Sequence, residues 1–94
     1  MPAVLLLKER VVLGEDRFAE VTIWRVPGKV PGSAHDFKYR LALVMDEVCV
    51  LRFDNEAGKG DHKHVGDRQE PYAFTTPEQL VADFWQEVER WRRA

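Results

Sequence analysis

The sequence contains a single cysteine, Cys49, in 94 residues. A lone cysteine excludes an intramolecular disulfide and any zinc cluster assembled from several thiolates. Cys49 sits within the apolar run Val48-Cys49-Val50-Leu51 and is expected to act as a small buried hydrophobe. Long apolar runs are also lacking. The N-terminal stretch from Ala3 to Leu7 is followed at once by Lys8-Glu9-Arg10, so it is too short for a membrane span or for the apolar region of a secretion signal. A cytoplasmic location without a membrane partner is therefore expected. Charge of one sign is missing as well: 14 Lys and Arg against 16 Asp and Glu leave a net charge of −2. Bulk electrostatics thus selects no partner, and a nucleic-acid surface would have to arise from local patterning. There is no internal repeat and no low-complexity tract. The Gly-x-x-x-x-Gly-Lys-Ser/Thr spacing of a phosphate-binding loop is absent, and no cofactor is expected.

What is present is enough for a core. Apolar residues make up 45% of the chain and include three Trp, five Phe and two Tyr, which argues against wholesale disorder and for one domain spanning residues 1–94. Ala3 to Leu13 and Arg17 to Val26 are β-type runs separated by Gly14-Glu15-Asp16, which reads as a hairpin. Pro27 to Asp36 holds two Pro, two Gly and a Ser and reads as a loop. Phe37 to Val44 and Val48 to Asn55 read as a second hairpin. Phe37, Tyr39, Leu41 and Leu43 share one face of the first of these strands, and Cys49, Leu51 and Phe53 share one face of the second. The two sets coincide if Met45-Asp46-Glu47 form a three-residue loop, whereas a two-residue loop would set Arg52 opposite Leu41 on the core face. The longer loop places Lys38, Arg40, Arg52 and Asp54 on the opposite face, with Lys38 across from Asp54. At the C-terminus, Thr76-Pro77-Glu78-Gln79 reads as an N-cap, a proline at the first helical position and a capping-box Gln. Leu80, Val81, Phe84, Trp85, Val88 and Trp91 then recur at helical spacing. The expected class is α+β: a sheet of about four mainly antiparallel strands in two hairpins, one face covered by a C-terminal amphipathic helix and the other free. An exposed edge of such a sheet could pair with a second copy to form a homodimer.

The densest chemistry lies between the last strand and the helix, in Asp54-Asn55-Glu56-Ala57-Gly58-Lys59-Gly60-Asp61-His62-Lys63-His64-Val65-Gly66. It carries two of the three histidines, three acids, two lysines and three glycines. Gly58 and Gly60 permit backbone conformations through which main-chain amides and Lys59 could approach an anion. An ordinary flexible turn is the competing reading. His62 and His64, two residues apart, point to the same side of an extended chain. Three roles fit them. As general base and general acid they could cleave an RNA phosphodiester, with Lys59 or Lys63 stabilising the charge that develops and Asp54 orienting an imidazole. As metal ligands they could be completed by Asp54 or Asp61. They could equally be hydrogen-bonding residues without chemistry. Lys38, Arg40 and Arg52, joined by Lys8 and Arg10, could form a basic stripe on the uncovered sheet face to hold a phosphate backbone, although Glu9, Glu20 and Asp54 dilute it. Tyr72 or Phe74 could stack on an RNA base, against the alternative of anchoring the segment to the core. His35 lies in the Pro/Gly loop with no evident partner.

Taken together, Phe37-Lys38-Tyr39-Arg40-Leu41, Val50-Leu51-Arg52-Phe53-Asp54-Asn55-Glu56, Gly58-Lys59-Gly60-Asp61-His62-Lys63-His64, Glu70-Pro71-Tyr72-Ala73-Phe74 and Asp83-Phe84-Trp85 resemble the TumE-like family. These are small bacterial and archaeal proteins classed as toxin components of toxin–antitoxin systems. The resemblance extends over nearly the whole chain and is most specific in the Asp-Asn-Glu-x-x-Gly-Lys-Gly-Asp-His-x-His run. It implies a cytoplasmic prokaryotic toxin and a cognate, DNA-binding antitoxin encoded alongside. It supplies no catalytic residue. An endoribonuclease using His62, His64, Lys59 and Asp54, with Lys38, Arg40, Arg52, Lys63 and Tyr72 binding substrate, rests on the side chains and on analogy with other toxins, many of which cleave RNA. A non-enzymatic nucleic-acid- or protein-binding module and a metal-dependent hydrolase using His62, His64 and Asp61 (or Asp54) are the alternatives.

Overall fold

The computed structural model describes residues 2–56 and 58–93. Six strands precede one helix: β1 (Val4–Gly14), β2 (Arg17–Arg25), β3 (Phe37–Met45), β4 (Val48–Asp54), β5 (His62–Val65), β6 (Arg68–Pro71) and α1 (Pro77–Arg93). The strands form one antiparallel meander in the order β1-β2-β3-β4-β5-β6. The α+β class and the covering helix are as expected. The sheet has six strands, not four. The extra pair, β5 and β6, is a hairpin within the segment read as irregular. Each strand has only four residues and carries His, Lys, Arg, Gln and Glu in place of an apolar alternation. The signal that could have found it is the Gly66-Asp67 dipeptide, a hairpin turn pair; Gly66 has a φ of 62°.

The second hairpin has the expected faces but a different register. The turn is two residues long, Asp46 and Glu47, and both have positive φ (51° and 67°), as a tight hairpin turn that follows the sheet twist requires. By itself such a turn would bring Arg52 to the core face. A bulge between Leu43 and Val44 of the ladder prevents this: Val44 pairs with Cys49, but Leu43 pairs with Leu51. Val50 is thus an extra residue that switches the strand's face. Leu41 then opposes Phe53, and Arg40 opposes Asp54 in the place expected for Lys38. The switch also corrects the reading of Cys49, which lies across from Val44 and is exposed, not buried with Leu51 and Phe53.

The core lies between the sheet and α1. Ala19, Val21, Ile23, Tyr39, Leu41, Leu43, Leu51 and Phe53 present one sheet face to Leu80, Phe84 and Val88 of the helix. The Phe53 and Phe84 rings meet edge to face at 5.9 Å, a favoured aromatic geometry. Thr76 Oγ1 accepts a hydrogen bond from Gln79 N at 3.1 Å, the expected N-cap. Gln79 does not close a capping box. Its Nε2 donates instead to Asp83 Oδ1 at 2.8 Å, one turn on. No helix among the described residues is long and apolar enough to cross a membrane.

Candidate functional site

Cross-strand pairing lays the polar residues of the uncovered face in rows. One row runs Lys8, Thr22, Arg40, Asp54, His62 and Pro71 across the six strands; the next runs Arg10, Glu20, Ala42, Arg52, His64 and Gln69. The sheet register therefore brings Arg40, Arg52, Asp54, His62 and His64 together on one surface. Lys38, from the adjoining Leu5-Trp24-Lys38 row, borders the same open groove of about 410 Å³, together with Thr22, Trp24, Arg40, Arg52, Asp54 and Glu56.

Asp54 is the organising group. Its side chain is 7% exposed, with Oδ2 lying 3.0 Å from Arg52 Nε and Oδ1 lying 2.8 Å from His62 Nε2. Neither Arg52 Nε nor Asp54 Oδ1 has an aligned hydrogen bond, so these contacts are electrostatic more than directional. Arg52 continues to His64: Nη2 donates to Nε2 at 2.8 Å. A guanidinium can only donate, which assigns the lone pair of His64 to Nε2 and its proton to Nδ1. Partial burial, then the positive charge of Arg52, then His62 hold the His64 pKa below the ordinary imidazole value. His64 is thus a neutral imidazole at neutral pH. His62 is buried, and its other nitrogen, Nδ1, lies 3.0 Å from Gly60 O. With both nitrogens engaged, it positions the Asp54 carboxylate. The two rings lie 5.0 Å apart, close to perpendicular.

Other residues expected at the site lie elsewhere. Lys63 is on the helix side, with its Nζ 5.8 Å from the Phe53 ring centroid. Tyr72 is on that side too: its ring packs against Phe53, and its hydroxyl donates to Asp83 Oδ2 of α1 at 2.6 Å. Burial and that carboxylate push the Tyr72 phenol pKa up. Tyr72 is therefore an anchor between the segment and the helix. Lys59 stays exposed, 3.0 Å from Glu56 Oε2. Two amides of the glycine loop are taken up within the protein. Gly58 N donates to Pro31 O, and Lys59 N donates to Glu56 O. Gly60, with a φ of 78°, lies against Gly32; a Cβ built on Gly60 would sit 2.9 Å from Gly32 O. These glycines let two loop backbones touch.

That contact belongs to a second polar cluster, on which His35 finds its partner. Asp61 Oδ2 accepts from Tyr39 Oη at 2.7 Å and lies 2.7 Å from His35 Nε2, while Oδ1 accepts from Ser33 Oγ at 2.5 Å. Burial would raise the Asp61 pKa, but these three donors outweigh it and hold the carboxylate below its usual range. His35 stacks on Phe74 at 3.8 Å, so Phe74 anchors the segment. Asn55, fully buried, completes the clamp. Its Oδ1 accepts from Tyr39 N at 3.0 Å, and its Nδ2 donates to Phe37 O at 2.6 Å.

For a metal ion, the three residues that converge are Asp54, His62 and His64, which offer ligand atoms within 4.8 Å of one another. Asp61, spent on Ser33, Tyr39 and His35, is not among them. The Arg52 guanidinium already occupies the space between Asp54 and His64, and its charge opposes a second cation there.

Trp24 and Asn55 were not picked out from sequence. Trp24 could have been, since it alternates with the buried Ile23 and so belongs to the open face. Asn55 gives no local signal, because its role depends on where the next strand leaves the sheet.

The fold and its open face define a small antiparallel α+β protein that carries a partly neutralised basic surface beside one neutral imidazole. The chain matches the family model described as Toxin TumE over residues 2–92, and it belongs to that toxin family. The family places it in a toxin–antitoxin system with a cognate antitoxin as partner. Comparison with curated proteins and with solved structures finds no match.

Proposed function

We propose that this toxin acts on RNA, holding a phosphodiester at Arg40 and Arg52 on the open sheet face and using His64 as the group that moves a proton. The observation that carries this reading is the Arg52–His64 contact: a neutral imidazole Nε2 held 2.8 Å from a guanidinium at the border of a basic groove. A phosphate entering the groove would draw Arg52 away from His64 and free that lone pair. His64 would then take the proton of a ribose 2′-hydroxyl, and O2′ would attack the phosphorus. The 5′-oxygen would leave, taking a proton from water in the open groove, and the His64 imidazolium would return its proton to the hydroxide left behind. Arg52 and Arg40 would stabilise the charge on the non-bridging oxygens. The products are a 2′,3′-cyclic phosphate and a 5′-hydroxyl. His62 and Asp54 act here by positioning Arg52, which narrows the expected acid–base pair to one proton-transferring histidine. His64→Ala should abolish growth arrest when the toxin is expressed without its antitoxin. It should slow RNA cleavage by roughly 10²–10⁴-fold while circular dichroism shows the fold retained. Cleavage retained in His64→Ala would refute the catalytic assignment.

One observation favours a second reading, a toxin that binds without cleaving. Both histidines are engaged within the protein, His62 through both ring nitrogens to Asp54 and Gly60 and His64 through Nε2 to Arg52. On that reading Arg40→Glu removes toxicity and His64→Ala does not.

A further inference from the structure

Trp24 is the one exposed aromatic side chain among the described residues, with 37% of its surface in solvent. It stands on the open face of β2, outside the hydrophobic core. Its cross-strand neighbours are Leu5, itself 43% exposed, and Lys38. Two residue pairs along the ladder lie Thr22 and Arg40 on the same face, and all but Leu5 line the same groove. The cations around it are available. Arg40 and Lys8 have no ion-pair partner among the described residues, and Lys38 donates only to the Asn55 carbonyl at 3.0 Å. Asp54 and Glu56 share the groove but are paired with Arg52 and Lys59; an apolar ring beside the unpaired Lys38 and Arg40 does not suit a neutral apolar partner. It suits a ligand that joins flat apolar rings to regularly spaced anions.

We infer that the groove takes a single RNA strand, one base of which stacks on the Trp24 indole while flanking phosphates meet Lys38 and Arg40. The inference rests on the RNA reading above and specifies its substrate class. A single strand can splay a base onto an aromatic face; a duplex keeps its bases stacked inside and offers only phosphates and groove edges. Trp24 and His64 stand on opposite sides of Arg40 and Arg52 along the sheet. The stacked base thereby sets which phosphodiester of the strand reaches His64, and Trp24 is a positioning residue for that bond.

The test is a fluorescence titration of the full chain with a short 2′-O-methyl RNA, which binds as a single strand but cannot be cleaved through its 2′-oxygen. Tryptophan emission should be quenched on binding. Trp24→Phe should remove that quench, leaving Trp85 and Trp91 unaffected, while keeping affinity. Trp24→Ala should weaken binding at least about fivefold, the lower end of one lost base–aromatic stack. The same strand annealed to its complement should bind more weakly and quench little. If Trp24→Ala binds as tightly as the parent while Arg40→Glu binds poorly, base stacking is overturned and the RNA reading stands. If the duplex binds as tightly as the single strand, the substrate class is wrong. If the parent chain binds no RNA at all, both readings fall. Circular dichroism of Trp24→Ala and Arg40→Glu separates loss of binding from loss of fold.

Discussion

Asn55→Ala should destabilise the protein by about 3 kcal/mol, and the reason lies in how the β3–β4 ladder ends. The last paired rung is Arg40 with Asp54. Beyond it the chain leaves the sheet, yet β3 continues back to Phe37 and still presents a buried N–H at Tyr39 and a C=O at Phe37 toward the missing strand. The Asn55 side-chain amide supplies the acceptor and the donor the departing backbone no longer provides, at 3.0 Å and 2.6 Å. Its third contact, to Ser33 Oγ at 3.4 Å, is long and adds little. Truncation leaves two buried backbone groups unpaired at about 1–3 kcal/mol each, partly relieved by water entering the space vacated. For a domain of this size, about 3 kcal/mol lowers the melting temperature by roughly 15 °C. Asn55→Asp should be no better at neutral pH: it keeps the acceptor for Tyr39 N but faces an anionic oxygen toward Phe37 O. Urea denaturation, with an unchanged m-value to show the same surface exposed, measures both variants. A loss below about 0.5 kcal/mol in Asn55→Ala, within the range of ordinary surface substitutions, would refute the ladder-capping argument. Because Asn55 directly follows Asp54, the same variant should also loosen the carboxylate that holds Arg52 and His62.

Two further outcomes follow from the same geometry. Gly60→Ala places a Cβ 2.9 Å from Gly32 O at a φ of 78°; left-handed strain alone costs about 1–2 kcal/mol, so thermal melting should show a loss above that. His64 should titrate below the ordinary imidazole value by NMR, since its folded pKa is depressed. The unfolded chain then takes up its proton first as pH falls, so stability should be lost as pH drops below about 6.5, and His64→Gln should flatten that decline in a urea–pH series.

The Asp61 cluster ties two polar loops together. Ser33, His35 and Tyr39 approach one carboxylate from a different part of the chain, and Gly58 N reaches back to Pro31 O. The glycine-rich run that looks like an anion cradle in sequence is thereby a packing surface. The cationic side chains that could meet a phosphate lie one sheet face away.

Much of the fold was legible from local pattern alone. The alternation of Val21 and Ile23, of Tyr39, Leu41 and Leu43, and of Leu51 and Phe53 determined which sheet face is buried, because a strand's side chains alternate whatever its neighbours do. Thr76 and the spacing of Leu80, Phe84 and Val88 determined where the helix begins and which side it buries. The same alternation put Lys38, Arg40, Arg52 and Asp54 on the open face. What the local pattern left undecided was which of them meet. The two-residue turn and the bulge at Val50 together shifted the pairing by two residues from the expected register, giving Arg40 to Asp54, and the bulge turned Cys49 outward. The β5–β6 hairpin, too short and polar to announce itself, carried His64 to Arg52 and His62 to Asp54. His35 and Asp61, 26 residues apart, met only after the loops closed over the end of β3. Periodicity is a property of neighbouring residues and survives any register; ion pairs and hydrogen bonds across strands depend on the register itself, and here a two-residue turn and one extra residue in one strand set it.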